Sequence, residues 1–119
     1  MHVLFMQYPP CSTCRKAKTW LDDHGVSHTD RHIKEENPTF EELKTWLEMS
    51  GMELKKFFNT SGLVYKDLGL KDKLPTMPRE EQLALLASNG MLVKRPIVVT
   101  EDAVLVGFKE KDWEKLLQK

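Results

Sequence analysis

The first third of the chain contains two strand-length runs with a helical pattern between them. Residues 3–8 begin with the apolar run Val-Leu-Phe-Met and have the length of a strand. Residues 11–24 predict a helix with Trp20 on its apolar face, and Gly25 follows where that helix is expected to end. The polar, histidine-rich run 26–33 predicts a weak strand, which we expect only at the edge of a sheet.

The next part of the chain predicts helices and no strands. Thr39, followed three residues later by Glu42, has the pattern of a capping box, in which each side chain binds the other residue's backbone N–H. We therefore expect a helix from there to about Ser50. Short helical pieces follow at 54–58 and 63–68, each of only one or two turns.

A charged stretch separates these pieces from another helix. Residues 71–75, Lys-Asp-Lys-Leu-Pro, predict a solvated connection. The helix starts at 76–78, has Leu83 and Leu86 on its buried side, and stops at 89–90, Asn-Gly.

The last quarter predicts a hairpin and a closing helix. The apolar runs 97–100 and 103–107 are separated by Glu-Asp, which is a strong hairpin signal. Trp113 and Leu117 have helical spacing in the segment that follows. The predicted order is therefore β-α-β, a helical middle and β-β-α, which belongs to the α/β class.

Length and charge narrow the classes of function. A chain of 119 residues fits one domain, 1–119, with enough core to fold without structural disulfides. Eighteen basic and eighteen acidic residues cancel, so we expect no direct binding to nucleic acid or to a membrane. The pattern shows neither a signal peptide nor a membrane span, so we expect a cytoplasmic protein. No large exposed apolar face is indicated, and we expect a monomer.

The two cysteines of the chain stand where the first strand turns into the first helix, in the sequence Cys11-Ser12-Thr13-Cys14. Unpaired N–H groups and the helix dipole stabilise a thiolate there, which makes it nucleophilic. The second sulfur can attack a mixed disulfide formed by the first. The hydroxyls of Ser12 and Thr13 either donate to the Cys11 thiolate or cap the helix, and backbone N–H groups of residues 13 and 14 are the favoured donors. A strand, C-x-x-C and a helix are typical of a thioredoxin-like redox motif.

A metal site is the main alternative for the cysteine pair. Zinc takes four protein ligands, or three and a water, and the chain has no third cysteine. His24, His28 and His32 are spaced by four, but Gly25 and a strand-like run interrupt any helix that would align them. The pattern favours a redox pair without a metal.

Four stretches in order give the chain a resemblance to the ArsC/Spx family, over essentially its whole length. These are residues 11–17, 58–62, 65–70 and 94–97. The resemblance implies a thioredoxin-like fold with a four-stranded mixed sheet flanked by helices, and a helical insertion between the second and third strands.

The resemblance also implies roles for individual residues. Cys11 matches the catalytic cysteine of the family's arsenate reductases, and Arg95 matches one of three arginines that surround the oxyanion. Pro96 matches a cis-proline that faces the cysteines and exposes the preceding backbone to substrate or glutathione. Arg95 and Pro96, together with Ser12 and Thr13 of the cysteine motif, are the expected substrate-binding residues. We expect glutathione, glutaredoxin or thioredoxin as electron donor and no bound cofactor.

The chain departs from the family's enzymes at two of the arginine positions. Asn59 and Gly107 stand there, so we expect inefficient arsenate reduction, since each lost charge-assisted hydrogen bond is worth about 1.5–3 kcal/mol. The leading hypothesis is a thiol–disulfide oxidoreductase in which Cys11 is the nucleophile and Cys14 resolves the mixed disulfide. The alternative is an Spx-like redox-sensing regulator that binds the C-terminal domain of the RNA polymerase α subunit. Spx regulators carry C-x-x-C as a disulfide switch, but also an arginine in the segment matching 59–62, which has none here.

Overall fold

A mixed four-stranded sheet forms the centre of the computed structural model, which describes residues 1–117. The spatial order of the strands is β2-β1-β3-β4, in which β1 and β2 are parallel and the other neighbours are antiparallel. The predicted fold class is confirmed, and the polar second strand lies at the edge of the sheet as expected. The strands are β1 (His2–Gln7), β2 (Ser27–His32), β3 (Ile97–Val99) and β4 (Val104–Val106).

Helices pack on both faces of this sheet because successive side chains of a strand point to opposite faces. Val3 and Phe5 join a core cluster with residues of the first and last helices, whereas Met6 joins a larger cluster with the remaining helices. No helix within residues 1–117 is long and apolar enough to cross a bilayer. The helices are α1 (Ser12–Asp23), α2 (Phe40–Ser50), α3 (Leu63–Asp67), α4 (Leu70–Lys73), α5 (Arg79–Ser88) and α6 (Glu110–Leu117).

The predicted capping box at the start of α2 is confirmed and has a further partner. The Thr39 hydroxyl accepts the Glu42 N–H at 3.1 Å, and the Glu42 carboxylate accepts the Thr39 N–H at 3.0 Å. The same carboxylate receives two hydrogen bonds from the Arg31 guanidinium, at 2.7 and 2.9 Å. This bidentate pair, which the sequence did not indicate, ties the edge strand β2 to the start of α2.

The prediction of a solvated connection at residues 71–75 is wrong. That stretch contains most of α4 and the beginning of a short 3-10 helix, Leu74–Thr76. Leu70 and Leu74, four residues apart, lie on one helical face and are buried in the larger core cluster. The charged residues between them face solvent, so their abundance concealed the two buried leucines.

Candidate functional site

Cys11 lies at the position that precedes the first turn of α1. Its backbone is extended, its carbonyl accepts the Arg15 N–H at 3.1 Å, and its own N–H donates to the Tyr8 carbonyl at 2.9 Å. The turn closed by that last bond contains the two prolines that follow Tyr8. The half-buried Cys11 sulfur is therefore held at the positive end of the α1 dipole.

The surroundings of Cys11 favour its thiolate. Burial by itself raises the pKa of this thiol, but the backbone N–H and the thiol of Cys14, the Arg95 guanidinium and the Thr13 N–H outweigh that effect. The net result is a pKa below the ordinary value of a cysteine. The N–H groups of residues 13 and 14 face the sulfur as the sequence predicts. A lowered pKa gives Cys11 the character of a nucleophile near neutral pH.

Cys14 has the opposite environment. It is completely buried, and the Tyr8 N–H donates to its sulfur at 3.5 Å. Burial, opposed by that donor and reinforced by the neighbouring Cys11, raises the pKa of Cys14 to about 12. Cys14 is therefore a protonated thiol at neutral pH, next to a sulfur that favours the thiolate.

Arg95 lies next to Cys11, and Pro96 follows it immediately before β3. The Arg95–Pro96 peptide bond is cis, and Pro96 is buried, with its carbonyl accepting the Gly107 N–H at 2.8 Å. On the other side of Arg95, the Lys94 N–H donates to the Phe57 carbonyl at 2.7 Å. These bonds hold the segment on both sides of Arg95 and place its guanidinium next to Cys11.

The Arg95 guanidinium lies against an aromatic ring, and one of its nitrogens is buried without a partner in the described part of the chain. Its central carbon lies 5.0 Å from the centre of the Tyr8 ring, which is a cation–π arrangement. Its Nη1 is shielded from solvent and has no hydrogen-bond partner among residues 1–117. A shielded cationic donor without a partner, beside a nucleophilic sulfur, is available to an anion.

The two residues between the cysteines contribute less than their neighbours. Ser12 and Thr13 are exposed, and neither hydroxyl has a hydrogen bond within residues 1–117. Their predicted role in binding a substrate stays a prediction.

Asn59 and Gly107, which the resemblance matches to two arginine positions, supply no charge to this site. Asn59 is buried and structural, because its N–H donates to the Leu92 carbonyl at 2.7 Å and its side chain accepts the Ser61 hydroxyl at 3.3 Å. Gly107 has a φ of 79°, a conformation that residues with side chains rarely adopt. Arg95 is thus the arginine that faces Cys11 in this chain.

A cleft of about 580 Å³ opens beside Thr13 and Arg95. Its apolar surface includes Phe58, Val106 and Phe108. The charged side chains around it are one carboxylate and five cations: Glu53, and Lys55, Lys56, Lys94, Arg95 and Lys109. Positive charge is concentrated there although the chain as a whole is neutral.

Sequence reasoning missed Tyr8 and three of the lysines. Tyr8 contacts both halves of the site, since its backbone binds Cys11 and Cys14 and its ring lies against Arg95. The signal that could have identified Tyr8 is an aromatic residue directly before Pro-Pro-Cys. Lys55, Lys56 and Lys109 carry no local signal, because they are exposed residues of two distant segments.

The fold and site together define a class of protein. A β2-β1-β3-β4 sheet, with C-x-x-C between the first strand and helix and a cis-proline before β3, is a thioredoxin-like arrangement. Within that class the chain belongs to the ArsC family, whose model matches residues 6–116. In residues 1–117, no three His, Cys, Asp or Glu side chains lie close enough together to hold a metal ion.

Several relatives cover nearly the whole chain. YusI of Bacillus subtilis, an uncharacterized protein, is 54% identical over 97% of this chain and 98% of its own length. The global transcriptional regulator Spx of Staphylococcus haemolyticus is 31% identical over 92% of this chain and 82% of the regulator. An ArsC-family related protein of Bacteroides fragilis is 64% identical in sequence, and the match covers 98% of this chain and 98% of that protein. Its crystal structure superposes on this structure with a TM-score of 0.95.

Arg95→Gln is expected to move the titration of Cys11 to higher pH. The guanidinium favours the thiolate, so its loss raises the pKa of Cys11 and reduces the thiolate fraction at pH 6.5. We expect alkylation by iodoacetamide at that pH to slow about fivefold, which corresponds to ~1 kcal/mol for one partly exposed charge-assisted hydrogen bond. The pH profiles of thiolate absorbance and of alkylation rate measure both effects.

Lys94→Gln is the matched control for this change. It removes the same charge from the neighbouring residue, which is exposed and is not among the groups that lower the pKa of Cys11. An equal shift in both variants would mean that overall positive charge, rather than the placement of Arg95, tunes the thiol.

Proposed function

We propose that this protein is a thiol–disulfide oxidoreductase in which Cys11 is the nucleophile and Cys14 the resolving cysteine. The observation that carries the proposal is the asymmetry of the pair. The half-exposed sulfur has a lowered pKa, whereas the buried sulfur one turn further has a raised pKa. This asymmetry assigns attack to Cys11 and resolution to Cys14.

Two steps complete the exchange. The Cys11 thiolate attacks one sulfur of a disulfide, R–S–S–R, which forms a Cys11–S–S–R bond and releases one R–S⁻. Cys14 then loses its proton and attacks the Cys11 sulfur, forming the Cys11–Cys14 disulfide and releasing the second R–S⁻. The substrate gains two electrons and the two protein thiols lose them.

The environment of Cys14 favours this order of events. Part of the effect that raises the pKa of Cys14 comes from the neighbouring Cys11, and that part falls when Cys11 is tied in a neutral mixed disulfide. The Tyr8 N–H and the Arg95 charge remain to favour the Cys14 thiolate. Cys14 is therefore held back until Cys11 has reacted.

We propose glutathione with glutaredoxin, or thioredoxin, as the source of electrons that reduce the Cys11–Cys14 disulfide in the cytoplasm. Both are thiol systems that keep cytosolic cysteines reduced.

We expect arsenate to be a poor substrate. One arginine faces Cys11, and the residues at the other two arginine positions are a buried amide and a glycine. Exposed lysines nearby are flexible point charges and do not replace the paired donors of a guanidinium.

A redox sensor is the second candidate. Its support is the similarity to Spx, together with a buried cysteine positioned to close a disulfide on its neighbour. In that case the disulfide would change the surface offered to a partner such as the C-terminal domain of the RNA polymerase α subunit. The segment 59–62, which contains no arginine, weighs against this candidate.

An NADPH-coupled turnover assay with glutathione and glutaredoxin separates the candidates. We expect many turnovers per protein molecule with a small mixed disulfide and only a residual rate with arsenate. Comparable turnover of arsenate would overturn the argument from Asn59 and Gly107. A single oxidation per molecule, with redox-dependent binding to the polymerase domain, would replace the enzyme by the sensor.

A further inference from the structure

The cleft next to Arg95 is lined by lysines to which the exchange between the two cysteines assigns no role. Three separate segments bring lysines to it. These are the short 3-10 helix Leu54–Phe57, the residues before β3, and the connection between β4 and α6. Against these cations the lining has one carboxylate, Glu53. A neutral chain that gathers its cations at one cleft creates a local positive potential there.

Two residues that interact with the Cys11 sulfur line the cleft. Thr13 and Arg95 both line it, and both face the Cys11 sulfur. The unpartnered Nη1 of Arg95 marks this end as a place for a negatively charged atom. A molecule whose sulfur is bonded to Cys11 can therefore extend from Arg95 towards the lysines.

The size and walls of the cleft indicate what kind of molecule fits. A volume of about 580 Å³ lies within the range of small-molecule sites, roughly 300–1,000 Å³. Val106 and Phe108, which are partly exposed, provide apolar contact for a carbon chain. The exposed lysines around them suit carboxylate or phosphate groups at the far end of that chain.

We infer that the cleft of Lys55, Lys56, Lys94, Arg95 and Lys109 selects disulfides of small thiols that carry negatively charged groups. This inference rests on the proposed function, because it names the class of disulfide that Cys11 attacks. The charged group binds along the lysines, while the disulfide sulfur meets the Cys11 thiolate. The released product is an anionic thiol.

The test compares four small disulfides on the fully reduced protein. The probes are neutral 2-hydroxyethyl disulfide, the dication cystamine, the dicarboxylate 3,3′-dithiodipropionate, and coenzyme A disulfide as the phosphate-bearing probe. The rate of protein oxidation is measured by acid quench and mass spectrometry. Each rate is divided by that of the same disulfide with free 2-mercaptoethanol, which removes differences in intrinsic reactivity.

We expect the corrected rate of dithiodipropionate to exceed that of cystamine by about 10- to 100-fold at low ionic strength, and the ratio to shrink as salt is added. The coenzyme A probe distinguishes the sources of the charge. A rate above that of dithiodipropionate assigns the lysines to phosphates, and a rate below it assigns them to carboxylates.

A triple variant tests the role of the cleft lysines. Lys55→Gln, Lys56→Gln and Lys109→Gln change exposed side chains and leave Arg95 in place. We expect at least about a fivefold fall in the ratio of the rate with dithiodipropionate to the rate with neutral hydroxyethyl disulfide. The control is Lys66→Gln, Lys73→Gln and Lys115→Gln, which removes the same charge from exposed residues that do not line the cleft.

Failure of this inference can be told apart from failure of the proposed function. Equal corrected rates for anionic and cationic probes, or an equal effect of the two triple variants, would overturn the selectivity and leave exchange at Cys11 intact. A preference seen with an acidic protein disulfide but not with the small anions would overturn the small-molecule assignment. If no disulfide oxidises the protein, the proposed function fails. Binding to the cleft is then measured by titrating the Cys11→Ser variant with dithiodipropionate. The absence of binding would overturn the inference too.

Discussion

Cys14→Ser is expected to convert the protein into a trap that holds one substrate thiol on Cys11. Attack by Cys11 still occurs, but no second sulfur is available to resolve the mixed disulfide. Mass spectrometry after exposure to a small disulfide should show one adduct per molecule. The wild-type protein should instead lose the mass of two hydrogen atoms, as its two thiols become a disulfide, and carry no adduct. After the first thiol is released, we expect the variant to form further reduced product about 1,000-fold or more slowly than wild-type protein. The remaining rate is the rate at which external thiol displaces the adduct.

Cys11→Ser is the matched control, since it makes the same change of sulfur to oxygen at the other member of the pair. Cys14 is completely buried, and burial keeps its pKa above that of an ordinary thiol, so it should form no adduct. An adduct on Cys14 in this variant would reverse the assigned roles. Unchanged turnover by Cys14→Ser would show that one cysteine suffices and that the buried thiol has no part in the reaction.

Gly90→Ala is expected to destabilise the fold by about 3 kcal/mol or more. Gly90 begins a short 3-10 helix, Gly90–Leu92, and a methyl group on it would overlap the Ile33 carbonyl oxygen and lie 2.7 Å from the carbon of that carbonyl. The Ile33 backbone cannot move away easily, because its N–H donates to the Gln7 carbonyl of β1 at 2.8 Å. The overlap involves backbone on both sides, so rotation of a side chain does not relieve it.

Gly25→Ala separates this overlap from the general effect of replacing a glycine. Gly25 has a φ of 66° and open space around its Cβ position, so alanine there should cost only about 1 kcal/mol of backbone strain. Urea unfolding measures both losses, and we expect the melting temperature of Gly90→Ala to fall by about 10 °C or more. Similar losses of unfolding free energy in the two variants would mean that the backbone at Gly90 or Ile33 shifts easily to make room for the methyl group.

The contact at Gly90 also matters for the site. The chain leaves the short helix through Val93, which pairs with Phe58, and then enters the segment that carries Arg95. A shift of Gly90 away from Ile33 would therefore move the support of Arg95. In folded Gly90→Ala protein, we expect the pKa of Cys11 to rise, as in Arg95→Gln.

The local parts of the fold were predictable because their signals lie within a few residues of one another. The capping box needs only Thr39 and Glu42, and the hairpin needs only two apolar runs with a turn between them. The reactive end of the site has the same property. The location of Cys11 at the start of α1 follows from a strand, C-x-x-C and a helix in succession.

The remaining features depend on segments far apart in the chain. Leu70 and Leu74 are buried because other helices cover them, and charged neighbours hid that fact from a local pattern. The cationic cleft exists because the fold brings the lysines of residues 55–56 and 109 next to Arg95. The sequence by itself thus determined the elements and the reactive thiol, since hydrogen bonding and side-chain periodicity act locally. Only the tertiary structure decided which charges surround that thiol, because electrostatic surroundings depend on distance in space.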